Sequence, residues 1–170
     1  MAQYVSIHPQ AEVIGQAILG IARALGDKAQ PILERHGLDG VQPDGWYPQQ
    51  RWLDALREID QGDMFDLIAV GKQVAEHVPL PAEVDSVESV LMMIGKTYTH
   101  NHRGCPGYTK PEILGEKHVR LTVYDPYPNN MVYGVMYGFA ARFERRAIVR
   151  YDDETPYGTE SDTVIYHVTW

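Results

Sequence analysis

Cys105 is the only cysteine in 170 residues, so no disulfide can close within the chain and no multi-cysteine zinc site can form. That usage fits a reducing compartment. Long apolar runs are missing too. No segment approaches the ~20 apolar residues that a bilayer span requires, and Met1-Ala2-Gln3-Tyr4-Val5 has neither the basic start nor the apolar stretch of a secretory leader. The expectation is a cytoplasmic protein with no membrane span. Basic residues are scarce, 15 Lys and Arg against 23 Asp and Glu for a net charge of -8, which argues against nonspecific nucleic-acid binding because phosphate contacts need clustered cations. The one basic pair, Arg145-Arg146, reads as a solvated helix end. No glycine-rich phosphate loop follows a strand, and no Ser or Cys sits in a nucleophile motif.

What the chain does contain is periodicity of two kinds. Residues 1–102 read as helix throughout. Val13, Ile14, Ala17, Ile18, Ile21, Ala22 and Leu25 recur at helical spacing, Gly26 ends that run, and Asp27 caps a short second helix that stops at Gly37. Trp46-Tyr47-Pro48 opens a third helix carrying Trp52, Leu53, Leu56 and Ile59, with the large aromatics read as packing residues. A largely apolar fourth helix spans 64–75. The fifth, 85–102, starts with Asp85 and Glu88 at capping-box spacing and carries Val87, Val90, Leu91, Ile94 and Tyr98 as one stripe that His102 prolongs by a turn.

After residue 107 the helical period gives way to alternation. Residues 112–114 and 117–124 read as a hairpin, 132–143 as a sixth helix with Gly134 and Gly138 on one face for close packing, and 147–151 and 164–170 as two last strands joined by a polar loop. The fold class is therefore α+β: one domain, 1–170, with an N-terminal helical layer packed on a small antiparallel sheet in a C-terminal ββαββ arrangement.

Candidate chemistry gathers at the end of the fifth helix. His100 and His102, with Cys105 and His118 nearby, are ligand types for zinc, iron or copper, but residues two apart on a helix point to different sides. Capping of the helix C-terminus or a core hydrogen bond is the competing reading, and no metal site is assigned. Cys105 with His102 as nucleophile and base is disfavoured by their closeness within a Pro-Gly turn.

The order of elements, with Ile32-Leu33-Glu34-Arg35-His36-Gly37-Leu38, Trp46-Tyr47-Pro48, His102-Arg103-Gly104, Tyr127-Pro128, Tyr133-Gly134 and the closing Tyr166-His167-Val168-Thr169-Trp170, resembles the heme-NO/oxygen-binding (H-NOX) domains and their relatives, the 4-vinyl-reductase domains and TRAPP-type assembly subunits. That resemblance implies a heme-ligating histidine late in the helix before the sheet, at His102 or His100. It also implies a Tyr-x-Ser-x-Arg motif for the heme propionates. Tyr124-Asp125-Pro126-Tyr127-Pro128 keeps the tyrosine and has prolines for the serine and arginine, so heme is disfavoured and the cofactor stays unknown. The cysteine set of many 4-vinyl-reductase domains is absent as well.

Two functions follow. One is a non-catalytic sensor or carrier that holds an apolar small molecule between helices and sheet, framed by Tyr98, His102, Tyr124, Tyr133 and Tyr137. The other is a structural assembly subunit with a solid core and no ligand. A homodimer or larger complex is expected, with the apolar fourth helix either at the contact or at the centre of the bundle.

Overall fold

The computed structural model describes residues 3–62, 66–152 and 163–170. Its first element is a strand: β1 (Glu12–Ile14) precedes α1 (Gly15–Leu25), so Val13 and Ile14 belong to a sheet and not to the first helix. A 3-10 turn at Gly26–Ala29 leads into α2 (Gln30–Arg35), whose early proline is tolerated because the first helical N–H groups have no intrahelical acceptor. Trp46-Tyr47-Pro48 is likewise a strand, β2 (Trp46–Pro48), and α3 (Gln49–Gln61) starts behind it. Trp52, Leu53, Leu56 and Ile59 are fully buried, as the spacing predicted.

Helix α4 (Leu67–His77) begins at Asp66, whose carboxylate accepts from the Ile68 and Ala69 amides; Met64 and Phe65, assigned to this helix from the sequence, lie outside the described residues. Helix α5 (Val87–Asn101) is capped by a Ser86/Ser89 capping box in place of the expected Asp85/Glu88 pair, a substitution of register worth about 1 kcal/mol to whichever pair makes it. It ends one residue early. His102 turns extended (φ -136°, ψ 150°) and with Arg103 forms β3 (His102–Arg103). The three short strands make an antiparallel sheet in the order β2-β1-β3, with Val13 opposite His102.

The second sheet holds the C-terminal half. Strand β4 (Tyr108–Gly115) is longer than the expected 112–114, and it pairs with β5 (His118–Tyr124); α6 (Asn129–Ala141) then crosses to β6 (Ile148–Tyr151) and β7 (Val164–Thr169), giving the antiparallel order β4-β5-β7-β6. Alternation does what it should. Val119, Leu121, Val123, Val149, Tyr166 and Val168 are buried under the helices, while His118, Arg120 and His167 occupy the other face. Trp170 packs partly buried against this layer. Most of the polar loop, 153–162, lies outside the described residues.

Helices α4 and α6 approach through glycines. A Cβ on Gly71 would meet the Met131 carbonyl oxygen at 2.2 Å, and one on Gly134 would meet that of Ile68 at 2.2 Å, so side chains at these places would push the backbones apart. The apolar face of α4 is thus covered by α6 of the same chain. Two cores result: one of α1, α2, α3 and the start of α4 around Trp52 and Ile18, the other of α5, α6 and the sheet around Leu91, Leu121 and Tyr166. Between them a gap remains.

Candidate functional site

The gap is closed at one end by four segments that the fold brings together from distant parts of the chain. Because α5 stops at Asn101, the Tyr98 carbonyl has no helical N–H to accept from, and the imidazole of His102, four residues on, supplies one: Nδ1 donates to Tyr98 O at 2.8 Å. The turn after β3 runs through Gly104 at φ +75°, where a Cβ would strike the Gln10 carbonyl, and it delivers the Pro106 carbonyl to the Tyr98 hydroxyl, which donates to it at 2.7 Å. Beyond β5, Asp125-Pro126-Tyr127-Pro128 is fixed by its prolines and by the Tyr127 amide donating to Asp125 Oδ1 at 3.0 Å. That turn aims the Tyr127 ring at His102. The two contact each other edge to face at 5.5 Å, while Tyr98 stacks on the imidazole at 4.2 Å.

These contacts determine the tautomer. Nδ1 faces a carbonyl and must carry the hydrogen; in the neutral ring Nε2 is then an acceptor, and the Tyr127 hydroxyl donates to it at 2.6 Å. Burial lowers the His102 pKa to about 4, against the opposing pull of the Tyr98 carbonyl, so the ring is neutral at physiological pH. Burial raises the phenols of both Tyr98 and Tyr127, and the charge of Asp125 raises them further. Asp125 itself is pushed up to about 7 by burial, partly offset by the Tyr127 amide. Gln49 is fully buried behind this group; Ser6 Oγ donates to its Oε1 at 3.0 Å, and its Nε2 has no acceptor at bonding distance.

Facing this polar end is a cavity of about 920 Å³ between the two cores, walled by α1, α4, α5 and α6. Trp52, Ile94, Met131, Val135 and Phe139 are among its apolar lining, and Tyr98, His102, Asp125 and Tyr127 form its closed end. Of the five residues singled out in the sequence, Tyr98 and His102 reach this cavity. The other three line other places. Tyr124 packs on Tyr108, Tyr133 donates to the Val149 carbonyl at 3.1 Å and stacks on Tyr151, and Tyr137 lies under the Lys72 ammonium. The reason is periodicity: the α6 face bearing Tyr133 and Tyr137 is turned away from the one bearing Met131, Val135 and Met136. Asp125, Tyr127 and Gln49 were missed. The prolines flanking Tyr127 were the available signal, since a turn that stiff holds a side chain in one direction.

His100 is exposed on the helix and His118 pairs with His167 on the far face of the sheet, so neither joins His102, and Cys105 is exposed. Among the described residues no three His, Cys, Asp or Glu side chains are grouped to hold a metal ion. Nor is any helix there long and apolar enough to cross a membrane.

No family model and no curated protein matches this sequence. Solved structures do match its fold. An H-NOX protein from S. oneidensis in the Fe(II) ligation state is 15% identical with a TM-score of 0.68, covering 92% of this chain and 95% of that one. An oxygen-binding H-NOX domain related to soluble guanylate cyclases is 10% identical with a TM-score of 0.67 over 91% and 93% of the two chains. A third, the solution structure of an H-NOX domain from Shewanella oneidensis in the Fe(II)CO state, is 17% identical with a TM-score of 0.60. The chain has an H-NOX-like fold, α+β in class, over most of its length.

The group that this fold family implies is heme, and the residues of this chain do not fit it. The Nε2 lone pair of His102, the atom an iron would need, accepts the Tyr127 hydroxyl at 2.6 Å, and Nδ1 is committed to Tyr98 O. The cavity end beside them offers the Asp125 carboxyl, whose burial disfavours its charge, and no cation.

Proposed function

We propose that this chain is a non-catalytic small-molecule-binding module, a sensor or carrier, whose ligand lies in the cavity between the helical layer and the sheet. One observation carries the reading. A space of about 920 Å³ with mainly apolar walls ends on Tyr98, His102, Asp125 and Tyr127, and ligand sites are typically cavities of ~300–1,000 Å³ with few placed polar groups. The likeness to H-NOX proteins studied with iron, NO and oxygen supports a sensing role for such a fold. An assembly subunit acting through its surface alone has no use for a gap between two cores, and that alternative is the weaker.

Gly20 supplies the test. It lies on the cavity wall in α1, and a Cβ built there meets nothing within 4 Å, so Gly20→Phe adds a ring to the cavity without displacing backbone. Protein purified from its own host should carry a small molecule in its native mass spectrum, and Gly20→Phe should lose it. Identical extracts from the two proteins would remove the cavity as the binding site.

A further inference from the structure

Charge around the cavity narrows the chemistry of what it holds. Acidic residues outnumber Lys and Arg by 23 to 15 in the chain, yet the cavity lining has a single carboxyl, Asp125, at the closed end. The mouth carries two cations and two histidines. Arg23 on α1, His77 on α4, and Lys96 and His100 on α5 all line the cavity and are all exposed, which places them where it meets solvent. Lys96 and His100 are four apart and so share one side of α5. None of the four has an acidic partner at ion-pair distance among the described residues, so no carboxylate there engages Arg23 or Lys96. His77 is fixed at the mouth by donating Nδ1 to the Gln73 carbonyl at 2.8 Å.

Resting on the binding-module reading above, we propose that the ligand is an amphiphile with one anionic head, a long-chain carboxylate in the simplest case, its head between Arg23 and Lys96 and its apolar body in the cavity. The reverse orientation would set a carboxylate against Asp125 and against two phenols whose hydroxyl hydrogens are already donated to the Pro106 carbonyl and to His102 Nε2. Three of the four side chains at the closed end need nothing from such a ligand: Tyr98, Tyr127 and His102 are satisfied by Pro106, by each other and by the Tyr98 carbonyl. An apolar tail end can therefore lie against them without stranding a donor.

Calorimetric titration with three twelve-carbon chains that differ only in the head tests this: dodecanoate, dodecanol and dodecylamine, each kept below its micellar concentration. Dodecanoate should bind one to one and about tenfold tighter than dodecanol, as two exposed charge contacts allow, with dodecylamine weakest. The Arg23→Gln/Lys96→Gln double variant, whose two sites are exposed, should erase the preference and leave dodecanol binding unchanged. Dodecanol binding as tightly as dodecanoate, or dodecylamine binding tightest, would overturn the head-group assignment and leave the cavity reading intact. Dodecanoate binding that persists in Gly20→Phe would place the chain on the surface and overturn the proposal. Failure of all three chains on the parent does so too, and the native-mass comparison of parent with Gly20→Phe then tells whether the cavity reading falls with it.

Discussion

Asp125→Asn should stabilise the protein by an amount that depends steeply on pH. In the folded state burial holds the Asp125 carboxyl at about 7, whereas an unfolded aspartate titrates at its ordinary 3.8. Below 3.8 both states are protonated and burial costs nothing. As pH rises towards 7 the unfolded state releases its proton first, so stability falls by about 1.4 kcal/mol per pH unit and the accumulated loss above pH 8 is about 4 kcal/mol. His102 runs the other way. Its folded pKa of about 4 lies below the ordinary 6.5, so its contribution is whole above 6.5 and is lost as pH falls towards 4, by about 3 kcal/mol in all. Between about pH 4 and 6.5 the two slopes oppose each other and the parent should look nearly flat. Asparagine keeps an acceptor for the Tyr127 amide and removes the charge, so the variant should gain most at pH 8, little at pH 4.5, and show the acid loss from His102 that Asp125 masks. Urea unfolding followed by tryptophan fluorescence at half-unit steps from pH 4.5 to 8 would measure it. A stability difference between parent and variant that changes by less than ~0.5 kcal/mol across that range would refute the argument.

Leu91→Ala empties a fully buried position between α5 and the sheet and should cost ~2–5 kcal/mol in the same unfolding assay. Gly134→Ala should destabilise despite a helix-propensity gain of ~1 kcal/mol, because its methyl would lie 2.2 Å from the Ile68 carbonyl oxygen; Gly20→Ala, with nothing in its way, should raise stability by about that gain. The pair separates packing from propensity, and a raised melting temperature for Gly134→Ala would count against the close approach of α4 to α6. Hemin added to the parent should give no stoichiometric Soret band, while Tyr127→Phe, which frees His102 Nε2, should take up more; equal spectra would show that the Tyr127 hydroxyl is not what closes that nitrogen.

Local periodicity carried most of the fold. Trp52, Leu53, Leu56 and Ile59 in α3, the alternation of Val119, Leu121 and Val123, and the Gly134/Gly138 face were all readable because each signal is contained within a few turns or a few strand residues. The three-stranded sheet was not. β1 and β2 are three residues each, and Val13 is a strand residue because it pairs with His102, which no window around residue 13 contains. Trp46-Tyr47-Pro48 failed for the same reason. Its aromatics suit a helix start or a strand equally, and only pairing with β1 decides.

The candidate site was legible where it is local and hidden where it is not. Spacing four put Tyr98 and His102 on one side, and the two rings do stack, although His102 stands in β3 just past the end of α5. Asp125, Tyr127 and Gln49 reach the same point from a turn after β5 and from the first turn of α3, and only the assembled fold brings residues 49, 98, 102 and 127 together. That assembly also alters what the histidine can do. A histidine at a helix end before the sheet is, by position alone, free to ligate; with its Nδ1 on the preceding turn and its Nε2 under a phenol it is a neutral strut that closes one end of a cavity. Position within an H-NOX-like fold is therefore insufficient to assign the ligand, and the deciding atom is the Tyr127 hydroxyl, set in place by two prolines.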